Sequence, residues 1–209
     1  MLRLIAGEWR RRQLRTPAGD TTRPSADRTR ETLFSMLASR LGSFEGLRVA
    51  DMFAGSGALG LEALSRGAAH CLFIEQDAAA IRAIRANITT LNAESRSEVR
   101  AGSVLALGPA RKPLDLLLLD PPYGTGAGSV ALDRLARLGW IGPASWVALE
   151  VSAGEVVKLK SLDIESERKV GTAKLLLLRL REAAAEEPEV APEPVAVTPP
   201  APPSEPDHP

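Results

Sequence analysis

The apolar positions of this chain fall into short, nearly continuous runs, separated by stretches with a helical period. The segments "LRVADMF" (47–53), "HCLFIE" (70–75), "SEVRAG" (97–102), "LDLLLLD" (114–120), "SWVALEV" (145–151) and "KLLLLRL" (174–180) read as strands, and "LDIESERK" (162–169) as a further one. In "ALGLEALSRG", Leu59, Glu62, Ala63 and Arg66 recur turn after turn, and Gly67 stops the helix. "AAAIRAIRANITTL" places Ile81, Ile84, Ile88 and Leu91 on one helical face. Continuous apolar strands alternating with helices predict an α/β fold, with a parallel sheet covered on both faces. The last two strands have no long helix between them, which predicts an antiparallel hairpin at the sheet edge. Ahead of this unit the pattern predicts a β-hairpin over 2–15 and a helix near 26–41. Ser25 would cap that helix, and Leu33, Met36, Leu37 and Leu41 would face inward.

The 209 residues suffice for one sizeable domain with its own core. No run reaches the length and apolarity of a membrane span. The start, "MLRLIAGEWRRRQLR", has an arginine cluster and no apolar stretch after it, so it does not read as a signal peptide. A single cysteine, Cys71, excludes an internal disulfide and fits a cytoplasmic protein. With His70 and His208 it makes too small a set for a Cys/His zinc site, and no metal is expected.

The formal charge of zero averages two unlike regions. Residues 182–209 hold seven acids, no Lys or Arg, and nine of the sixteen prolines. Such a stretch has no aromatics and no period, and reads as disordered. Residues 1–181 keep all 26 bases against 19 acids, a net charge of +7. Eight arginines stand among the first thirty residues, against three acids. A basic body suggests a polyanionic partner, although a solvated basic face has the same composition.

The first chemical signal is "DMFAGSGALGLEAL". Gly55, Gly57 and Gly60 form G-x-G-x-x-G between a strand and a helix. Such glycines let the backbone turn sharply and approach a ligand at an electropositive helix end. Glu75, twenty residues after Gly55, stands where an acid can accept hydrogen bonds from both ribose hydroxyls. Two cofactor classes compete for such a loop, a nicotinamide dinucleotide and S-adenosylmethionine. Asp51, just before the loop, would attract an ammonium-bearing amino-acid tail and repel a pyrophosphate, which favours the methyl donor.

The second signal is "LLLLDPPYG", at the carboxyl end of a strand, where open α/β sheets bind ligands. Methyl transfer to an exocyclic amine needs acceptors for the amine's hydrogens, so that the nitrogen lone pair can leave the conjugated ring. The carboxylate of Asp120 and the carbonyl of Pro121 can supply them. Pro121 and Pro122 lack N–H donors and stiffen the turn, and Tyr123 offers a flat face for a base. Taken alone, the same four residues could simply be an Asp-Pro turn closing a buried strand.

Together with "IAGEWRRRQL" and "RPSADRTRETLF", these two motifs resemble the bacterial RsmD family of 16S ribosomal RNA guanine-N2 methyltransferases. The resemblance covers roughly residues 1–181, in family order, and the two N-terminal motifs are its specific part. It implies a Rossmann-like methyltransferase fold with a seven-stranded, mostly parallel sheet, S-adenosylmethionine as cofactor, and a guanine of the small ribosomal subunit as target. By motif match Asp51, Gly55 and Gly57 would hold the methionine part of the cofactor and Glu75 its ribose, with Phe53, Gly102 and Ser103 also on the cofactor. Asp120, Pro121, Pro122 and Tyr123 would hold the target base. Where the family usually has an acid for the adenine amino group, this chain has Ser103, which can still accept a hydrogen bond. The acidic, proline-rich stretch has no counterpart in the family pattern.

The expected organisation is a basic RNA-binding extension over 1–45, a methyltransferase domain over 46–181 and the acidic stretch 182–209. Arg10, Arg11, Arg12 and Arg15 on the predicted hairpin, and Arg23, Arg28 and Arg30 around the first helix, would contact phosphates without reading sequence. Trp9 would stack on a base, or plug the hairpin onto the core. The expected partner is 16S ribosomal RNA or the small-subunit particle, and the expected state a monomer. Rival readings are an adenine-N6 methyltransferase, a nicotinamide oxidoreductase and a non-catalytic RNA-binding module. The body has no spare residues for the recognition region the first usually needs. No Tyr-Lys or His proton-transfer group stands near the motifs for the second, and an intact Asp120 argues against the third.

Overall fold

The computed structural model describes residues 2–17 and 24–181, so Arg23 and the acidic stretch 182–209 lie outside the described residues. In chain order the elements are α1 (Pro24–Leu41), β1 (Arg48–Asp51), α2 (Ala58–Ser65), β2 (His70–Glu75), α3 (Ala78–Thr90), β3 (Ser97–Ala101), β4 (Leu114–Leu119), α4 (Ala127–Arg137), β5 (Ile141–Ser152), β6 (Leu162–Val170) and β7 (Ala173–Leu180). Short 3-10 turns stand at Glu94–Arg96 and Val104–Ala106. The first helix begins at Pro24, one residue ahead of the predicted cap Ser25, and proline is suited to a first helical position. Helix α4 was not singled out from the pattern. No helix among the described residues is long and apolar enough to cross a membrane.

The seven strands form one sheet in the order β3-β2-β1-β4-β5-β7-β6. The first five in this order run parallel, and β7 pairs antiparallel with both β5 and β6. Strand order reverses between β1 and β4, so a crevice opens there beyond their carboxyl ends. The leucine run of β4 shows why its strands lack polar alternation. Leu116 and Leu118 pack with α1, α2 and α3 on one face. Leu117 and Leu119 pack with α4 and the 138–140 turn on the other. Leu175 to Leu178 of β7 divide in the same way. Each face must be apolar because each is covered.

Helix α2 approaches the sheet at Gly60, where an added Cβ would lie 2.4 Å from the Phe73 ring and 2.6 Å from Cys71 Sγ. Its far end holds the amino terminus. The hairpin predicted over 2–15 is present as a short antiparallel pairing, with Arg3 bridged to Gln13, Leu4 N–H donating to the Arg12 carbonyl (2.9 Å) and Leu14 N–H to the Leu2 carbonyl (2.9 Å). The segment forms a hook, because further backbone donors go to side chains of the helices. Glu62, fully buried on α2, accepts the N–H groups of Ile5 (2.7 Å) and Ala6 (3.0 Å) and the Nε of Arg66 (2.8 Å). Ser65 Oγ accepts from Trp9 N–H (3.0 Å) and donates to the Ala6 carbonyl (2.6 Å). Gly7 crosses so close that a Cβ would stand 1.7 Å from the Ser65 carbonyl oxygen, at a φ of +81°. On α3, Asn87 accepts from Arg15 N–H (2.7 Å) and donates to the carbonyls of Arg15 (2.9 Å) and Ser56 (3.0 Å). One buried amide thus ties the hook to the glycine loop.

Glu62→Ala should strip two backbone donors and Arg66 of their common acceptor. Breaking a buried ionic cluster by removing one partner costs roughly 3–5 kcal/mol. The expected result is a large fall in melting temperature and faster proteolysis within residues 2–17. Wild-type melting and protection would show that the hook is held by other contacts.

Candidate active site

Two loops flank the crevice. The first follows β1. Met52 N–H continues the ladder to the Leu118 carbonyl (2.9 Å), and Ala54 N–H reaches the Ile74 carbonyl (3.1 Å). Gly55 and Gly57 take φ of +53° and +80°, where glycine is favoured. Gly57 then opens α2. The second loop follows β4. Asp120 begins it, Thr125 Oγ1 closes it on the Pro122 carbonyl (2.7 Å), and Gly126 opens α4. Gly128 lets α4 come close to Pro121 and Leu149.

Between the loops lies a cleft of about 580 Å³. Of the residues predicted from the motifs it brings together Phe53, Gly55, Glu75, Gly102, Ser103, Asp120, Pro121, Pro122 and Tyr123. Asp51 and Gly57 are not part of its lining. Gly57 is buried, and a Cβ there would touch Ile84, Leu61 and Phe73. Asp51 is fully buried beneath the loop, where its Oδ2 accepts the Gly60 N–H at 2.9 Å. Its Oδ1 is buried without a partner among the described residues.

Glu75 is already engaged. Its Oε2 accepts Gly55 N–H (2.8 Å), and its Oε1 accepts the N–H groups of Gln76 (2.7 Å) and Asp77 (2.8 Å). The carboxylate fixes the glycine loop while facing the cleft with its remaining lone pairs. Ser103 Oγ caps the following 3-10 turn by accepting Leu105 N–H (3.2 Å), as a short acid would. Among the described residues, neither the Asp120 carboxylate nor the Pro121 carbonyl accepts a hydrogen bond from the protein.

Glu150, on β5, was missed in the sequence. It lines the same cleft, and its Oε1 accepts the Tyr123 hydroxyl at 2.5 Å. Partial desolvation in the cleft, then the nearby Glu150 and Asp51 charges, push the Asp120 carboxyl above the usual carboxylate range. Desolvation likewise raises Glu150, opposed by the Tyr123 hydrogen bond and the Arg30 charge. Burial first, and the Glu75 charge in addition, raise Asp51 from 3.8 to about 7, against the lowering effect of the Gly60 hydrogen bond. Glu75, Asp120 and Glu150 line the cleft and Asp51 lies beneath it, while no Lys or Arg among the described residues lines it. A pyrophosphate would meet repulsion there, and a cation would be welcome. Among the described residues, no group of three or more His, Cys, Asp or Glu is arranged to hold a metal ion.

The predicted RNA-facing residues divide. Arg10, Arg11, Arg12, Arg15 and Arg28 are exposed, Arg12 also donating to the Thr90 carbonyl (3.1 Å). Arg3, Arg10 and Arg11 border a second cavity of about 480 Å³ with Asp27 and Glu31. Arg23 lies outside the described residues. Arg30 needs correction. It is 5% exposed and turned inward, donating to the Arg3 carbonyl (2.5 Å) and to Asp27 (3.0 Å), so it anchors the hook. Trp9 follows the second of its two readings: it packs on the core, with the Arg96 guanidinium over its ring at 4.9 Å.

A protein-family profile described as "Conserved hypothetical protein 95" matches residues 2–179. The Escherichia coli protein named ribosomal RNA small subunit methyltransferase D is 38% identical over 149 residues, which span 71% of this chain and 74% of that protein. The solved structure of Escherichia coli yhhF superposes with a TM-score of 0.74 at 33% identity, covering 86% of this chain and 97% of that one. Haemophilus influenzae HI0767 superposes with a TM-score of 0.72 at 30% identity, covering 87% and 99%. The profile match spans the hook, the glycine loop and the Asp120 turn, and the chain belongs to the RsmD family of methyltransferases.

Proposed function

We propose that this chain transfers a methyl group from S-adenosylmethionine to the exocyclic N2 amine of a guanine in small-subunit ribosomal RNA. The carrying observation is the acid-lined cleft at the reversal of strand order, with unengaged acceptors at Asp120 and Pro121. The residues present fit the cofactor. Its ammonium would satisfy the orphaned Oδ1 of Asp51, Glu75 would take the ribose hydroxyls, and Gly102 and Ser103 would border the adenine. The acidic lining suits a sulfonium and opposes the nicotinamide dinucleotide alternative. In this reading residues 1–45 form the RNA-binding extension and 46–181 the catalytic domain.

The bound cofactor supplies an electrophilic methyl on a positively charged sulfur. The chain does the rest. Asp120 and Pro121 accept the two amine hydrogens, which turns the nitrogen lone pair out of the ring and toward the methyl. Asp120 then holds the proton that the nitrogen sheds once it carries the methyl group. Tyr123, about half exposed, offers its ring to the base. The exposed arginines of the hook hold RNA phosphates.

Asp120→Ala should leave S-adenosylhomocysteine affinity near normal and lower the single-turnover methylation rate roughly 10²–10³-fold. Because Asp120 is the stronger acceptor when ionised and can take up the shed proton only in that form, and its carboxyl is raised, the wild-type rate should climb with pH above the ordinary carboxylate range. Asp120→Asn should flatten that climb. A wild-type rate in Asp120→Ala would overturn the acceptor role.

Asp51 gives a stability signature. Between pH 3.8 and about 7 the folded chain holds a proton that the unfolded chain releases. Stability of the free protein should therefore fall as pH rises through this window, by at most ~4 kcal/mol. Asp51→Asn should reduce the slope to the part that the raised Asp120 and Glu150 carboxyls contribute, and S-adenosylhomocysteine should offset the Asp51 share. Denaturant titrations on either side of the window, with and without ligand, read this out, and an equal slope in Asp51→Asn would place its origin elsewhere.

Replacing Arg10, Arg11 and Arg12 by Ala should weaken RNA binding, lower the slope of log affinity against log salt by about 2, and leave cofactor affinity unchanged. An unaltered slope would move the RNA to another face.

A further inference from the structure

Glu150 presents a geometry that the transfer step does not use. Leu119 of β4 pairs in parallel register with Leu149 of β5. The next residues, Asp120 just after β4 and Glu150 within β5, therefore lie side by side, at the ~4.8 Å spacing of a sheet. Both line the cleft. One oxygen of Glu150 is taken by the Tyr123 hydroxyl. The other has no hydrogen-bond partner among the described residues. Holding a hydroxyl needs neither a charge nor a second oxygen, and a glutamine would serve. A second carboxylate beside Asp120 adds like-charge repulsion, so the pair calls for a ligand with two adjacent donors.

The Watson–Crick edge of guanine is such a ligand. Its N2 amine and N1–H are neighbouring donors, whereas the atom beside the exocyclic amine of adenine or cytosine is a lone pair. We propose that Glu150 selects guanine, its free carboxylate oxygen accepting the base N1–H while Asp120 and Pro121 hold the N2 amine. This rests on the guanine-N2 reading of the same cleft. An adenine or cytosine presenting its amine to Asp120 would turn a lone pair toward the Glu150 charge. Arg30, whose charge favours ionised Glu150, keeps the acceptor ready while it anchors the hook. Base choice would thus be made by two strand ends, with no separate recognition region.

The test compares bases that carry the same N2 amine. In a small-subunit RNA fragment whose methylated guanine has been mapped, that guanine is replaced by 2-aminopurine, which keeps the amine and has a lone pair at N1. Single-turnover methylation by the full chain should favour guanine by about 10- to 100-fold. Glu150→Gln, whose amide can donate to N1, should bring the ratio close to one. Tyr123→Phe, which removes only the hydroxyl, should keep the wild-type ratio. S-adenosylhomocysteine titration confirms that each variant is folded. The inference is overturned if Glu150→Gln retains the wild-type preference, or if Tyr123→Phe erases it equally, since Glu150 would then act only through the ring. Should Glu150→Gln not fold, a wild-type ratio near one overturns the inference and a clear preference for guanine supports it. If the wild-type chain methylates no guanine at N2, the function proposed above falls, and this inference with it.

Discussion

The close approach of α2 to the sheet at Gly60 is the constraint on which the other parts depend. No side chain fits between that backbone and Phe73 or Cys71. The contact brings the Gly60 N–H onto the buried Asp51 carboxylate, so the helix start and the end of β1 are locked together. The loop between them has no freedom to lie elsewhere, and its left-handed glycines follow from that span. The same helix carries Glu62 and Ser65 on its next turns, and these hold the hook. A single packing distance thus sets the cleft on one end of α2 and the basic segment on the other.

Charge is sorted along this axis. Acids gather at the reversal of strand order, and exposed arginines gather on the hook. The two regions stay apart because the hook is held by ion pairs of its own. Glu8 pairs with Arg96, Glu62 with Arg66, and Asp27 with Arg30. Arg66 also lies over the Phe34 ring at 4.8 Å. Such internally paired arginines are structural, and they leave the others free for a polyanion. A formal charge of zero for the whole chain conceals both fields.

What was legible in the sequence follows from period and spacing. Continuous leucines at 116–119 announced a strand covered on both faces, and the two layers indeed divide them alternately. The glycine loop, Glu75 and the Asp120 turn sit at strand ends, where a linear motif can be read, and they do meet in one cleft. The pairing of residues 2–4 with 12–14 was legible from their alternation, but the docking of the hook was not. Nothing local reveals that its backbone donors end on Glu62 and Asn87, dozens of residues away. Arg30 looked like its exposed neighbours because burial is a tertiary property. Glu150 escaped for the opposite reason, lying in "VALEV" with no motif around it. The available signal was an acid inside an otherwise apolar strand run, where an ionised group persists only with a partner or a task.

Glu75 shows why a residue in such a cleft resists a one-role description. In the proposed binding mode its carboxylate meets the ribose, yet it already accepts three backbone N–H groups, one of them from Gly55. Truncating it would release the glycine loop along with any ribose contact, and would free Gln76 and Asp77 at the start of α3. The loss of cofactor affinity in such a variant would combine both effects, so its size alone could not be assigned to the ribose hydroxyls. Asp120 differs, since no protein donor is spent on it and the loop around it is closed by Thr125 and Gly126. The physical distinction is between an acceptor consumed in building the cleft and one left over after the cleft is built. Within this site Asp120, Pro121 and the second oxygen of Glu150 belong to the latter kind, and it is there that a substrate's donors would find partners without dismantling the fold.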